Sequence, residues 1–171
     1  MITVIISTSN RLYYLKKTIN DLAKLSQIID QIIIYSFNDL KTENYIKNRY
    51  KKKFKKIITL KSRNNFEIEN RIKHLCDLNI ELTDNSKYVW FMSDKDRILL
   101  ENHDFLKMIL KKNISGLTMD YHSLKKPFSA DKNRNKIFLF NLEKGVHKLG
   151  LISSQIINKR LFIKYSKKSK L

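Results

Sequence analysis

Tyr88-Val89-Trp90-Phe91-Met92-Ser93-Asp94-Lys95-Asp96-Arg97-Ile98 is the stretch on which the reading of this chain turns. Its first half is a short apolar run rich in aromatic residues, which predicts a buried β-strand. The run stops abruptly at two carboxylates one residue apart. Side chains alternate along an extended chain, so Asp94 and Asp96 are expected on one side, at the strand's carboxyl end. In open α/β sheets that end is where ligands bind. Two hard oxygen donors there suit Mg²⁺ or Mn²⁺, which keep several waters and take phosphate oxygens as further ligands. The competing reading is a solvated turn that caps the next helix.

The segments around this stretch alternate in type. Ile2-Thr3-Val4-Ile5-Ile6-Ser7 reads as a strand buried on both faces, followed by the polar turn Thr8-Ser9-Asn10-Arg11. Leu12, Leu15, Ile19, Leu22 and Leu25 then recur at spacings of three and four, the mark of an amphipathic helix. Gln31 to Tyr35 is a second strand, ended by Ser36-Phe37-Asn38-Asp39. Tyr45, Ile46, Tyr50 and Phe54 mark a second helix, with Thr42 as its expected N-cap. Lys56 to Leu60 is a third strand, and Phe66, Ile68, Ile72, Leu75 and Cys76 mark a third helix. After the Asp pair, Phe105, Leu106, Ile109 and Leu110 predict a fourth helix. Gly116 to Met119 and Ile137 to Phe140 predict two more strands. Gln155 to Phe162 reads as a short helix with Ser153 or Ser154 as N-cap, and 164–171 as a basic, frayed tail.

Strand–helix alternation predicts an α/β fold with a mostly parallel sheet flanked by helices, joined by right-handed crossovers. That topology gathers Thr8 to Arg11, Asn38-Asp39 and Asp94 to Asp96 on one sheet edge. Residues 1–163 are expected to form one domain, because no repeat or Gly/Ser linker interrupts them.

Composition sets outer bounds. The chain has 171 residues, 42% hydrophobic and 30% charged, with 3 Gly and 1 Pro, so it should build a globular core. A single cysteine, Cys76, excludes an internal disulfide and makes no zinc site alone. No apolar run reaches membrane-spanning length and no signal pattern opens the chain, which predicts a cytoplasmic location. Lys and Arg number 35 against 16 Asp and Glu, a net charge of +19. Such a field favours anionic partners. The lysines are dispersed rather than interleaved with aromatics on one face, which argues against a specific nucleic-acid partner. The basic run Arg49 to Lys56 reads either as a solvated helix end or as peripheral contact with an anionic membrane.

Several stretches together resemble the glycosyltransferase family 2 domain, which has the Rossmann-like GT-A fold. ITVIISTSNRLYYLKKTINDL is similar to that family's first strand, Thr-x-Asn-Arg turn and helix. IIIYSFND resembles its second strand and acidic nucleotide-binding turn. NRIKHL followed by KYVWFMSDKDRI resembles its helix and Asp-x-Asp strand. GLISSQIINKRLF is similar to the acceptor-side segment of the abequosyltransferase-like branch, which builds bacterial surface polysaccharides. The resemblance implies transfer of a sugar from a nucleotide-diphosphate donor to a saccharide or lipid-linked acceptor. It implies that Thr8, Asn10 and Arg11 lie beside the nucleotide and that Asp39 contacts the base or ribose. Asn70 or Arg71 would lie near the donor, and Asp94 and Asp96 would hold Mg²⁺ or Mn²⁺ on its diphosphate.

This chain departs from the pattern in three ways. Phe37-Asn38-Asp39 stands where many members carry two acidic residues. Lys95 separates the aspartates where many members have a third Asp. The family continues well past this length, so the general base is not evident among Asp120, Asp131, Glu143 and His147. A C-terminally truncated, catalytically inactive remnant that binds nucleotide or a partner chain is therefore the alternative expectation.

Overall fold

The computed structural model describes residues 1–9, 11–37, 40–50, 52–62, 82, 85–96, 98, 106–107, 110–111, 116–118, 138–139 and 155–168. The predicted helix over residues 66–76 and the loop 120–136 lie outside these. The described elements run β1 (Ile2–Ser9), α1 (Leu12–Lys24), β2 (Ile29–Phe37), α2 (Leu40–Tyr50), β3 (Lys56–Ser62), β4 (Tyr88–Ser93), β5 (Gly116–Thr118), β6 (Phe138–Leu139), β7 (Gln155–Asn158) and α3 (Lys159–Lys168). The sheet order is β3-β2-β1-β4-β7-β5-β6. The first four strands in that order are mutually parallel. The rest pair antiparallel: β7 with β4 and β5, and β6 with β5. The architecture is thus a mostly parallel, mixed sheet flanked by helices, as the alternation implies.

Both faces of the central strands are buried, which explains their nearly continuous apolar character. Val4, Ile6, Ile32, Ile34, Trp90 and Met92 face one layer, where Leu15, Ile19 and Leu22 of α1 and Ile46 and Tyr50 of α2 cover them. Ile5, Ile33, Tyr35, Val89 and Phe91 face the other, where Phe162 of α3 packs. The Phe91 and Phe162 rings lie 5.5 Å apart. Trp90 and Phe91 are therefore core side chains, each given to a different face. Each fully buried Ile or Leu contributes about 1.5–3 kcal/mol. Leu106 adds to the first layer and Leu110 packs against it, both in helical residues after the Asp pair.

α1 and α2 are tied by a polar contact: the Tyr50 hydroxyl donates to Asn20 Oδ1 at 2.6 Å. Burial, reinforced by the neighbouring Tyr45, pushes the Tyr50 pKa up to about 12. At the amino end of the sheet, Thr3 Oγ1 lies 2.7 Å from Ser86 Oγ and 3.2 Å from Gln31 Oε1.

Two expectations are corrected. Gln155 to Asn158 is a strand, not the start of a helix. Ile156 is fully buried in one layer and Ile157 packs into the other, a placement that only an extended chain between two strands allows. The helix starts at Lys159, and its cap is Asn158, whose Oδ1 accepts the Arg160 N–H at 3.0 Å. It runs to Lys168, into the segment read from sequence as a basic tail. Thr42 is not an N-cap either: α2 begins at Leu40, so Thr42 falls in its first turn, where it is buried.

Candidate functional site

The sheet register sets where the polar turns emerge. Ser9 of β1 pairs with Phe37 of β2, Phe37 with Ser62 of β3, and Ser7 with Ser93 of β4. These strands are parallel, so their carboxyl ends form one edge. The turn that begins at Asp94 leaves that edge beside Thr8, and α1 begins there at Leu12. The topology thus makes the convergence that the sequence reading expects for Thr8, Arg11 and the Asp pair. Asn10, Asp39, Asn70 and Arg71 lie outside the described residues, as do Asp120, Asp131, Glu143 and His147.

Asp94 is completely buried. Thr8 Oγ1 donates to its Oδ2 at 2.7 Å, and Ser93 Oγ donates to Oδ1 at 3.3 Å. Arg11 Nε stands 2.9 Å from the same Oδ2. The Arg11 Nε–H does not aim at that oxygen, so this is a charge contact rather than an aligned hydrogen bond. The Arg11 side chain remains 38% exposed while its partner is sealed. A buried carboxylate is tolerated only when paired and hydrogen-bonded, and here one cation and two hydroxyls meet that need.

Asp96 is placed differently. Strand alternation does not set this pair, because β4 ends at Ser93 and the chain turns at Asp94 and Lys95. Asp96 folds back on the strand end. Its Oδ2 accepts the Ser93 N–H at 2.6 Å, and its own N–H donates to the Ser93 carbonyl at 3.1 Å. The Asp94 N–H donates to the Ser7 carbonyl at 3.2 Å, which ties the turn to β1.

Two residues of α1 that the sequence reading passed over hold this turn from below. Thr18 Oγ1 lies 2.7 Å from the Asp94 carbonyl oxygen and 2.8 Å from that of Asp96, so one hydroxyl hydrogen is shared between both ends of the turn. Asp21 Oδ2 accepts the Ile98 N–H at 3.5 Å. Both side chains are buried on the face that carries Leu15, Ile19 and Leu22. A Thr and an Asp set into an apolar helical stripe were the available signal.

The rim beside the turn is aromatic and cationic. Among the described residues, Tyr13 and Tyr14 are the large apolar side chains left exposed, their rings edge-on at 5.3 Å. Lys17 Nζ donates to the Tyr13 hydroxyl at 2.6 Å, and that contact holds the hydroxyl's pKa below its usual value. Lys95 Nζ stands 5.5 Å from the centre of the Tyr14 ring. Lys16 Nζ lies 4.1 Å over the Tyr45 ring. The basic run that follows α2 is elsewhere. Lys55 pairs at 3.3 Å with Asp30 near the start of β2, so the α2–β3 turn lies at the opposite, amino-terminal edge.

Among the described residues no group of three or more His, Cys, Asp or Glu side chains converges to hold a metal ion. Mg²⁺ needs less than that, because it binds through one or two carboxylates plus substrate phosphates. Of the pair, Asp94 is committed to Thr8, Arg11 and Ser93, and half-buried Asp96 accepts the Ser93 N–H.

No protein-family model matches this chain, and no curated protein matches it in sequence. Solved structures do match in shape. S. aureus TarS 1–349 superposes with a TM-score of 0.70 at 14% identity, over 96% of this chain and 48% of that one. TarS 1–349 in complex with UDP gives 0.64 at 12% identity, with the same coverage of 96% and 48%. The 4-diphosphocytidyl-2C-methyl-D-erythritol synthase of Anaerococcus prevotii DSM 20548 gives 0.60 at 17% identity, over 99% of this chain and 75% of that one. The chain thus spans about half the length of TarS 1–349. At these identities the likeness is one of fold: a mostly parallel mixed sheet flanked by helices, matching Rossmann-like GT-A neighbours.

Proposed function

We propose that this chain binds a nucleotide-diphosphate sugar at the carboxyl edge of its sheet and transfers the sugar to a saccharide or lipid-linked acceptor. The reading places it in bacterial surface-polysaccharide synthesis. The observation that carries it is the Thr8–Arg11–Asp94 cluster, built where strand ends and a helix start converge and where open α/β sheets bind ligands. A GT-A glycosyltransferase among the fold neighbours, solved with UDP, supports it.

Each residue has a part in this reading. Asp94 is a positioning residue: it anchors Arg11 and Thr8 and so shapes the edge. Arg11, whose side chain is partly exposed, offers its guanidinium to phosphate, in the bidentate manner that suits that group. Asp96 would hold Mg²⁺ or Mn²⁺, which would supply Lewis-acid stabilisation of charge on the diphosphate. Asn10, Asp39, Asn70 and Arg71 keep the nucleotide and donor roles that the family resemblance implies. Peripheral contact with an anionic membrane through the basic run belongs to the same proposal.

Thermal denaturation with UDP-, GDP- and CDP-sugars, with and without Mn²⁺, tests it. We expect at least one donor to raise the melting temperature, and Asp96→Ala to abolish the Mn²⁺-dependent part. Donor hydrolysis measured alongside separates a working transferase from a binding remnant, since the remnant gives the shift without turnover. No shift with any donor overturns the reading.

A further inference from the structure

We infer that Lys95 supplies a built-in cation for the nucleotide's phosphates, so that a nucleoside diphosphate binds this edge without a divalent ion. The inference rests on the nucleotide-binding reading above and adds a residue and a metal requirement to it.

The argument is one of charge. Two bare carboxylates at a phosphate site repel the ligand unless a metal intervenes. This turn is not of that kind. The Asp94 charge is offset by Arg11 at 2.9 Å, within a buried cluster that also uses Thr8 and Ser93. Asp96 turns one oxygen back to the Ser93 N–H. Lys95 stands between them, exposed, with its backbone N–H 3.4 Å from Ser93 Oγ. Arg11 and Lys95 together therefore cancel the formal charge of Asp94 and Asp96. Among the described residues Lys95 makes no ion pair. Its ammonium lies instead over the Tyr14 face, 5.5 Å from the ring centre, on the side of the turn where α1 begins. That contact keeps the long side chain along the rim, and it leaves the N–H donors of the ammonium for an anion.

A diphosphate arriving beside Arg11 thus meets the Lys95 ammonium before any metal binds.

The test is UDP binding by isothermal titration calorimetry to the full chain, in EDTA and in Mn²⁺. We expect wild type to bind UDP in EDTA. Lys95→Ala should weaken that affinity by about tenfold or more, as loss of a charged hydrogen bond does, and Lys95→Arg should retain it. Lys95→Asp should make binding dependent on Mn²⁺. Lys95 is exposed, so these variants should fold, and circular dichroism checks that they do. Wild-type binding that requires Mn²⁺, or EDTA binding indifferent to Lys95→Ala, overturns the inference and leaves the nucleotide site standing. Failure of UDP, GDP and CDP to bind in either buffer overturns the nucleotide reading itself, and this inference with it.

Discussion

Thr8 donates one hydrogen bond, and the Asp94 carboxylate depends on it. That oxygen has no water to turn to, since the Asp94 side chain is wholly enclosed. Thr8→Val keeps the shape and removes the donor, which leaves a buried acceptor short of a partner. The expected cost is about 1–3 kcal/mol, read as a lower midpoint in urea with an unchanged m-value. Such a loss is far larger than an exposed ion pair warrants, and the difference lies in Asp94 being sealed. The aspartates themselves were legible because a carboxylate pair interrupts an apolar run. Their geometry was not. Alternation holds only while the chain stays extended, and the turn that closes on Ser93 ends that. Thr18 was hidden for a related reason: a threonine on an apolar helix face is unremarkable until another segment brings two carbonyls to its hydroxyl.

Among the elements, β7 shows how a short apolar run misleads. Gln155-Ile156-Ile157-Asn158 satisfies a strand or a helix start equally, because periodicity needs more residues than four to declare itself. What decides is the partner on each side. Ile156 stands opposite Trp90 of β4 and Leu117 of β5, and it is fully buried between them. Ile156→Ala should therefore destabilise the chain by about 2–5 kcal/mol, in the range of buried Ile truncations. Ile157→Ala should cost less, since Ile157 is only partly buried. Chemical denaturation of both variants checks the ordering, and equal costs would mean that β7 is not held between β4 and β5. The long strands β1, β2 and β4 posed no such ambiguity. Each has enough consecutive apolar residues to fill both faces of a sheet.

At the scale of the molecule, the net charge of +19 is not spread evenly over function. The run that includes Lys52, Lys53, Lys55 and Lys56 lies at the amino-terminal edge, and the Asp turn lies at the carboxyl edge. The proposed membrane contact and the nucleotide site are thus on opposite rims. Lys52→Glu with Lys53→Glu should lower binding to phosphatidylserine vesicles, where each basic residue contributes about 1 kcal/mol, and should leave UDP affinity unchanged. Co-sedimentation and calorimetry measure the two effects separately. Equal losses in both would place the run at the nucleotide edge.

The alternation of strands and helices was readable without coordinates, because burial on two faces demands continuous apolar runs and burial on one helix face demands the spacing of three and four. So was the gathering of Thr8, Arg11 and Asp94 on one edge, since parallel strands joined by crossovers send their carboxyl ends the same way. Tertiary structure alone decided which way each carboxylate turned, that Asp94 and Arg11 neutralise one another, and that β7 enters the sheet antiparallel. Those outcomes depend on groups distant in the chain competing for the same few hydrogen bonds, and local pattern carries no record of that competition.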